Sequence, residues 1–336
     1  MRKGIRERLS EGVVLGDGGY LLELEKRGFV RAGPFTPEVS IINPWALEEL
    51  HREFMLAGAE VLQTLTFYAS EEKLATVGLA DKVDEINRAA TEIARKVAAE
   101  GDALVAGTLS ITWAYDPAVP DSAVRVREMF DRQLAQQLAV GVDFVIGETF
   151  TTLGEALIAL ESIKAAGLPA MITMAFEHKD TTHDGYTAAE CGKSLEANGA
   201  DIVGINCLRN PETMMPLLHE MISAVSSSTY IAAQPVAYET HNHDHNFTSL
   251  PGFPFGLDPY QLPRTRLADF AVRAHDMGVR YIGSCCGSVA AHVREMARAL
   301  GKLPPDDTME VWKQDGGRPK SAYEYHRKRR MEQETI

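Results

Sequence analysis

Two kinds of segment alternate through most of this chain: short apolar, β-branched runs and longer amphipathic helical stretches. Near-continuous apolar strands, each followed by a helix, are typical of a parallel sheet that is covered on both faces. Eight apolar runs predict strands at Val13–Gly18, Ala59–Phe67, Ala103–Ser110, Val142–Phe150, Ala170–Ala175, Asp201–Cys207, Tyr230–Pro235 and Val279–Cys285.

The amphipathic stretches predict eight helices. Glycines such as Gly199 and Gly278 stand between a helical pattern and the next strand, where the left-handed turn that ends a helix favours glycine. The predicted helices are Pro44–Leu56, Lys82–Ala99, Ser122–Val140, Leu153–Ala166, Thr187–Asn198, Pro211–Ala224, Arg264–Met277 and Ala290–Leu300.

Eight strand–helix units in one chain indicate an α/β protein whose sheet closes into a (β/α)8 TIM barrel. An open doubly wound sheet fits less well, because Gly16-Asp17-Gly18-Gly19 lacks the dinucleotide-binding spacing of glycines. We therefore predict one barrel domain over residues 1–303, followed by a short C-terminal arm or tail over residues 304–336. The active site of this fold lies at the C-terminal ends of the strands.

The composition narrows the partners and the compartment. A formal net charge of -13 argues against nucleic acid or an anionic membrane as a partner. We find no apolar stretch long enough to cross a bilayer, and Met1–Leu9 lacks the apolar core of a secretory signal. Four cysteines in 336 residues are not a disulfide framework. We expect a cytoplasmic protein whose cysteines are metal ligands, nucleophiles or core residues.

Three of the cysteines lie at predicted strand ends. Cys207 ends strand six, while Cys285 and Cys286 end strand eight, a near neighbour in an eight-stranded barrel. Three cysteine ligands with an open fourth position describe a catalytic zinc site, so Zn²⁺ is the predicted cofactor. Adjacent cysteines reach one ion only if the chain turns there, and glycines flank the pair. The alternative is two buried core cysteines. Cys191 lies within a predicted helix and is predicted to be a core residue.

Two acids also interrupt apolar runs at strand ends. Asp17 ends strand one and Glu148 ends strand four. Because burial of a carboxylate is costly unless it is paired, these acids are predicted to bind a substrate ammonium or to act as acid and base. A structural ion pair is the alternative. Thr64 and Thr66 on strand two are weaker candidates, since threonine is an ordinary strand residue.

An aromatic group follows the first three strands. Aromatic faces attract quaternary ammonium and related cations, and each contact contributes on the order of 0.5–2 kcal/mol. Core packing is the alternative for each residue taken alone. The predicted members of a cation pocket are Phe35, Phe67, Tyr68, Trp113 and Tyr115. The loop His241–His245 is interpreted as a mobile, polar lid segment in preference to a second metal site.

Several motifs at successive strand ends resemble the homocysteine S-methyltransferase family, and its betaine-dependent members in particular. They occur in order between about Gly12 and Pro305. The motifs are Gly16-Asp17-Gly18-Gly19, Ala32-Gly33-Pro34-Phe35-Thr36-Pro37-Glu38, Gln63-Thr64-Leu65-Thr66-Phe67-Tyr68-Ala69-Ser70, Gly204-Ile205-Asn206-Cys207 and Gly283-Ser284-Cys285-Cys286-Gly287.

The resemblance implies a role for individual residues. Cys207, Cys285 and Cys286 match the family's zinc ligands. Asp17 and Glu148 match the acids that hold the homocysteine amino group, with Gly18 beside the first acid and Thr64 at the same site. Tyr68 matches a tyrosine of the betaine pocket, and Tyr238 is a candidate for the fourth zinc position without substrate.

The implied reaction moves a methyl group from a cationic donor to homocysteine and yields methionine. Glycine betaine is the first choice of donor. This chain has Phe35 where the betaine-dependent members have tryptophan, so S-methylmethionine and dimethylsulfoniopropionate are alternatives. We expect a homo-oligomer, since such barrels often form dimers or tetramers.

Two other classes of protein fit the sequence less well. A zinc hydrolase on the same barrel usually uses histidine or carboxylate ligands, which the predicted strand ends lack. A non-catalytic betaine binder leaves three convergent thiols unexplained.

Overall fold

The computed structural model describes residues 2–31, 33–240 and 244–303. Its eight strands form one parallel sheet in the order β1-β8-β7-β6-β5-β4-β3-β2. The predicted (β/α)8 barrel is therefore confirmed. The strands are β1 (Val14–Leu15), β2 (Val61–Gln63), β3 (Leu104–Ser110), β4 (Phe144–Phe150), β5 (Ala170–Met174), β6 (Ile202–Asn206), β7 (Tyr230–Gln234) and β8 (Tyr281–Ile282).

The seam between β1 and β2 is held without a regular ladder. The Glu60 N–H donates to the Leu15 carbonyl at 2.8 Å, and the Glu60 carboxylate accepts from the Leu15 N–H at 2.8 Å. Further up the seam, the Asp17 carboxylate accepts from the Gln63 N–H at 2.7 Å. Side-chain carboxylates thus take the place of carbonyl partners. For this reason β1 and β2 are shorter than the apolar runs that predicted them.

Twelve helices surround the strands in the described part of the chain. All eight predicted helices are present, with ends that differ from the predicted bounds by at most a few residues. The helices are α1 (Ile5–Glu11), α2 (Leu21–Lys26), α3 (Val39–Ile42), α4 (Pro44–Leu56), α5 (Glu71–Ala75), α6 (Val83–Ala98), α7 (Ser122–Val140), α8 (Leu153–Ala165), α9 (Ala188–Ala197), α10 (Pro211–Ile222), α11 (Arg264–Asp276) and α12 (Ala290–Ala299).

Four short helices, α1, α2, α3 and α5, were not predicted. Helix α3 lies in the stretch between the first predicted strand and the predicted helix Pro44–Leu56, for which no element was predicted. These helices have four to seven residues, too few for a helical period to stand out in a sequence window. Their side chains pack against the barrel, and this tertiary packing supplies the stability that such short helices lack alone.

Helix α1 closes one end of the barrel. Ile5 and Leu9 are 1% exposed and belong to the same apolar cluster as inward residues of the strands, including Phe144 and Tyr281. The first residue of each strand is at this end. Helix α1 leaves the opposite end uncovered, where the carboxyl ends of the strands lie. No described helix has both the length and the apolar character that a bilayer crossing requires.

Candidate functional site

Three thiols meet at the carboxyl ends of β6 and β8. The sulfur atoms of Cys207, Cys285 and Cys286 all lie within 4.8 Å of one another, and 3.7 Å separates Cys207 Sγ from Cys286 Sγ. Among the described residues, no other group of three or more histidine, cysteine or acidic side chains converges in this way. The three predicted metal ligands are thus close enough to share one ion.

The backbone at both cysteine segments departs from strand geometry. Strand β8 ends at Ile282, so Cys285 and Cys286 stand on the turn that follows it, and Gly287 has a φ of 80°. The strand was predicted to continue to Cys285. The earlier ending is what lets both thiols face one point, as the flanking glycines suggested. Cys207 has a φ of 57°, a left-handed conformation that costs on the order of 1–3 kcal/mol in a residue with a Cβ.

Backbone hydrogen bonds join the two cysteine segments to the loop after β7. The Cys207 N–H donates to the Gln234 carbonyl at 2.9 Å, and the Cys285 N–H donates to the Pro235 carbonyl at 2.8 Å. The Ala237 N–H donates to the Cys286 carbonyl, also at 2.8 Å. The thiol positions are therefore fixed by main-chain contacts across three neighbouring strand ends.

The thiols influence one another's protonation. Hydrogen bonds from the thiols of Cys285 and Cys286 lower the pKa of Cys207 well below its usual value. The hydrogen bond with Cys207 in turn raises the pKa of Cys285 and of Cys286. Without a bound cation, the first of the three thiols therefore ionises readily, and ionisation of a second thiol is disfavoured. This pattern suits a site that binds a cation.

Tyr238 lies beside the thiols, in the loop after β7. Its ring is fully buried and stacks on Phe247 with 5.5 Å between the ring centres. Burial and the charge of Cys286 raise the pKa of Tyr238. Its hydroxyl has no hydrogen-bond partner among the described residues. A role as a fourth metal ligand stays a prediction.

Asp17 is the centre of a buried hydrogen-bond chain. Oδ2 accepts from the Gln63 N–H and from the Tyr20 hydroxyl, and the Tyr20 oxygen lies 2.9 Å from Nδ1 of His51. Because the Tyr20 proton is directed at Asp17, the Tyr20 oxygen is left to accept, so His51 donates from Nδ1. Burial raises the pKa of Asp17 to about 7 and lowers that of His51 to about 3.

Glu148, at the end of β4, is held by two amides. Oε1 accepts from Gln63 Nε2 at 2.5 Å, and Oε2 accepts from Asn206 Nδ2 at 2.9 Å. Burial raises the pKa of Glu148 to about 8, and the charges of Cys207 and Asp17 act in the same direction. We call Asp17, Gln63, Glu148 and Asn206 the polar wall. The two predicted acids are joined through Gln63.

A pocket opens between the polar wall and the thiols. Thr64 lines it, and its hydroxyl lies 3.1 Å from that of Thr66. Gly18 also lines the pocket, and a Cβ there would lie 2.6 Å from the Phe54 ring. Asp17 is fully buried behind this surface and does not line it. Its Oδ1 has no hydrogen-bond partner among the described residues.

Sequence reasoning missed several polar residues of this pocket. Gln234 Oε1 and Ser284 Oγ line it, are buried, and have no hydrogen-bond partner among the described residues. Gln63, Asn206 and Gln234 each end an apolar strand, the same signal that identified Asp17 and Glu148. A buried amide needs a hydrogen-bond partner as a buried acid does, so the same signal identifies these three residues.

The five predicted aromatic residues fall into three places. Phe67, Tyr68 and Trp113 pack together, with ring centres 4.1 Å and 6.3 Å apart along the row, and we call them the aromatic wall. Phe35 instead packs on Phe253 of the loop after β7, at 5.7 Å. Tyr115 lies apart from both groups.

The position of Tyr115 is set by helix α8. Its hydroxyl lies where a Cβ on Gly154 would be, only 2.0 Å away. Burial and the charges of Asp184 and Glu155 raise its pKa. Tyr115 therefore faces the start of α8, while Phe67 alone of the five lines the pocket beside the thiols.

Three further predictions have different outcomes. Cys191 is fully buried in α9, which confirms that it is a core residue. Of the His241–His245 segment, residues 241–243 lie outside the described part of the chain. Asp244 Oδ1 lies 3.1 Å from His178 Nδ1 and accepts from the Asn246 N–H. The predicted arm at residues 304–336 also lies outside the described residues.

Comparisons with known proteins agree with this geometry. A sequence profile described as homocysteine S-methyltransferase matches residues 14–300. Betaine–homocysteine S-methyltransferase 1 of Mus musculus is 44% identical over 317 residues, which cover 90% of this chain and 77% of that protein. The S-methylmethionine–homocysteine S-methyltransferase BHMT2 of Pongo abelii is 39% identical over 313 residues, which cover 90% of this chain and 84% of that protein.

A solved structure shares the fold. The metallated form of the homocysteine methyltransferase MmuM from Escherichia coli aligns with a TM-score of 0.69 and 21% identity, covering 85% of this chain and 96% of that one. The profile match spans the barrel from β1 to α12. The resemblance drawn from the strand-end motifs is confirmed. The chain is an enzyme that belongs to the homocysteine S-methyltransferase family.

Proposed function

We propose that this enzyme is a zinc-dependent methyltransferase that moves a methyl group from a cationic donor to the sulfur of homocysteine. The observation that carries the proposal is the cluster of three thiols at the open rim, opposite two buried acids. Glycine betaine is the first choice of donor. A relative with 44% identity is named for betaine, and another with 39% identity is named for S-methylmethionine.

The thiol cluster fits zinc. Tetrahedral ligands at about 2.3 Å from the ion place neighbouring sulfurs about 3.8 Å apart. The distance between Cys207 Sγ and Cys286 Sγ is 3.7 Å. Three protein thiolates leave the fourth position for a substrate sulfur. When bound there, zinc would supply a Lewis acid that lowers the pKa of the homocysteine thiol.

The polar wall suits the amino-acid end of homocysteine. Beside this wall, Gln234 Oε1 lines the pocket as a buried acceptor without a partner among the described residues, and a substrate ammonium would donate to it. Asp17 lies behind the same surface and would add negative charge when ionised. Glu148 adds negative charge at the same place once it is ionised. Binding the ammonium favours that ionised form, since an opposite charge lowers a carboxyl pKa.

The aromatic wall suits the donor. Phe67 lines the pocket beside the thiols, and Tyr68 packs behind it. During transfer a bond forms from homocysteine sulfur to the methyl carbon as the donor's C–N or C–S bond breaks. The donor loses its positive charge in that step. The walls hold the two reactants in line, and the thiol proton leaves to solvent.

The test is methionine formation from homocysteine by zinc-loaded enzyme, with glycine betaine, dimethylsulfoniopropionate and S-methylmethionine supplied in parallel. Turnover with at least one donor, lost on chelation and regained with zinc, is the expected result. Absence of turnover with all three would overturn the proposed reaction. Turnover that persists in fully chelated enzyme would overturn its dependence on zinc.

Three other properties stay proposals. A homo-oligomer is tested by the mass of the full chain in solution, and a monomer at micromolar concentration would contradict it. A cytoplasmic location accords with three thiols that need a reducing compartment to stay free. The net charge of -13 continues to argue against nucleic acid as a partner.

A further inference from the structure

A lysine of this protein already occupies the aromatic wall. Lys73 lies in helix α5, in the segment that follows β2. Its Nζ is 4.2 Å from the centre of the Tyr68 ring and 4.8 Å from that of Trp113. Both distances fall within the roughly 6 Å over which an aromatic face attracts a cation. The wall that suits a cationic donor is therefore in contact with a cation of the chain itself.

Among the described residues, no carboxylate forms an ion pair with Lys73. In the same segment Lys82 pairs with Glu85 at 2.8 Å. The nearby acid Glu72 is engaged by Arg125. Partial burial lowers the pKa of Lys73, which reflects an ammonium that has lost part of its water. Such a group gains from an anionic partner more than an exposed lysine does.

A second cation at this wall would be repelled by Lys73 unless a negative charge came with it. A zwitterionic onium compound meets that condition, because its carboxylate neutralises the lysine while its onium group uses the rings. We propose that Lys73 binds the carboxylate of the methyl donor and so selects carboxylate-bearing onium donors over simple onium cations. The inference rests on the proposed function and specifies the donor class for the same site.

The order of groups along the wall supports this orientation. Phe67 lines the pocket beside the thiols and packs on Tyr68 at 4.1 Å, whereas Lys73 contacts the rings of Tyr68 and Trp113 and does not line that pocket. Along the row of rings, Lys73 therefore lies beyond the ring that lines the thiol pocket. A donor with its carboxylate on Lys73 would point its onium end past Tyr68 toward the thiols. This is the direction in which the methyl group has to travel.

Two matched donor pairs test the inference: glycine betaine against choline, and dimethylsulfoniopropionate against trimethylsulfonium. Wild-type enzyme is expected to prefer the carboxylate-bearing member of each pair that it uses. Lys73→Met keeps the length of the side chain without its charge. It should lower kcat/KM for the carboxylate-bearing donor by about 10- to 100-fold, mainly through KM, and shrink the preference by the same factor. Lys73→Arg should retain most of the preference.

Lys82→Met is the control, because it removes a lysine of the same segment that is already paired with Glu85. It should leave the preference unchanged. An equal loss on both members of a pair in Lys73→Met would mean that Lys73 only supports the rings, and it would overturn the inference. So would an unchanged KM for the carboxylate-bearing donor.

Failure of the proposed function is distinguishable from failure of this inference. If wild-type enzyme methylates homocysteine with none of the donors, the proposed reaction fails. Calorimetric titration of the zinc-loaded full chain with glycine betaine and with choline then decides the role of Lys73. Preferential betaine binding that is lost in Lys73→Met supports it. No preference in the wild-type protein overturns it.

Discussion

The polar wall and the aromatic wall face the same thiols but are built in different ways. Gln63, Glu148 and Asn206 belong to strands, Asp17 lies just past one, and hydrogen bonds join all four. The aromatic wall stands on loops. Tyr68 and Trp113 have φ values of 58° and 67°, and Trp113 is 65% exposed. In the reaction that we propose, the barrel would therefore fix recognition of the methyl acceptor and leave the choice of donor to the loops.

The three thiols lie between the polar wall and the aromatic wall. Removal of one thiol is expected to have the largest effect on activity. Cys286→Ser removes one of three sulfurs that lie within 4.8 Å of one another. Bound zinc, measured by elemental analysis after dialysis, should be lost, and methionine formation should fall to background with every donor. Cys191→Ala alters a cysteine in the core of α9 and is the control. Retention of zinc and near-normal turnover in Cys286→Ser would contradict the three-thiolate site.

Glu148→Gln breaks the polar wall with little change of shape. A glutamine at position 148 has one carbonyl oxygen and one NH2 group, so its NH2 would face the NH2 donor of either Gln63 or Asn206, and the negative charge of the acceptor is lost. The KM for homocysteine should rise about 10- to 100-fold, while the ratio of rates between donors stays unchanged. Glu155→Gln is the control, since that buried acid accepts from Thr112 outside the pocket. A changed donor ratio in Glu148→Gln would mean that the two walls are not independent.

The polar wall should also make the metal-free protein sensitive to pH. Burial raises the pKa of Asp17 from 3.8 to about 7 and that of Glu148 from 4.5 to about 8. A raised folded-state pKa gives stability that is full below the unfolded value and is lost as pH rises through the folded value. The free energy of unfolding should therefore fall between about pH 5 and pH 8, by up to about 1.4 kcal/mol per pH unit for each carboxyl.

Urea denaturation of chelated protein across this range measures that slope. Glu148→Gln should remove the share that titrates near pH 8. A flat profile in the wild-type protein, or an identical slope in Glu148→Gln, would show that these carboxyls ionise normally. The aromatic wall carries no acid and is expected to make no contribution of this kind.

The smallest effect is expected on the donor side. Phe35→Trp supplies a stronger cation–π partner at a residue that packs on Phe253 in the loop after β7. The kcat/KM for glycine betaine should rise about two- to five-fold, with the KM for homocysteine unchanged. Phe255→Trp, at a residue that is 72% exposed, is the control. An unchanged kcat/KM for glycine betaine in Phe35→Trp would place this residue outside the donor pocket.

The positions of the strands and main helices were predicted well, because apolar runs and helical periods in the sequence indicate them directly. The barrel, its eight main helices and the convergence of three cysteines all follow from that alternation. The ends of β1, β2 and β8 were placed too far along the chain. At the ends of β1 and β2 the carboxylates of Glu60 and Asp17 replace backbone partners, and a run of apolar residues does not reveal that exchange. Strand β8 ends early because the chain turns there into the cysteine pair.

The loops were predicted less well, for a physical reason. Tyr115 and Trp113 are two residues apart, yet they face different parts of the molecule, because left-handed backbone at Trp113 redirects the chain. Lys73 was missed because a lysine on a short helix looks like an ordinary exposed residue. Its contact with two rings depends on tertiary packing that no local pattern encodes.

The Asp17 carboxylate lies where the β1–β2 seam of the barrel meets the substrate pocket. A substitution at this position therefore alters the seam and the pocket at the same time. Its Oδ2 joins β1 to β2 by accepting from the Gln63 N–H, while its Oδ1 has no hydrogen-bond partner among the described residues. Loss of activity in an Asp17 variant would have two explanations, a loss of substrate binding or a distortion of the barrel. Glu148, which crosses no such seam, is the cleaner probe. Because a substitution of Asp17 would impair both the barrel seam and the pocket, we expect this residue to be among the slowest to change as relatives diverge in donor choice.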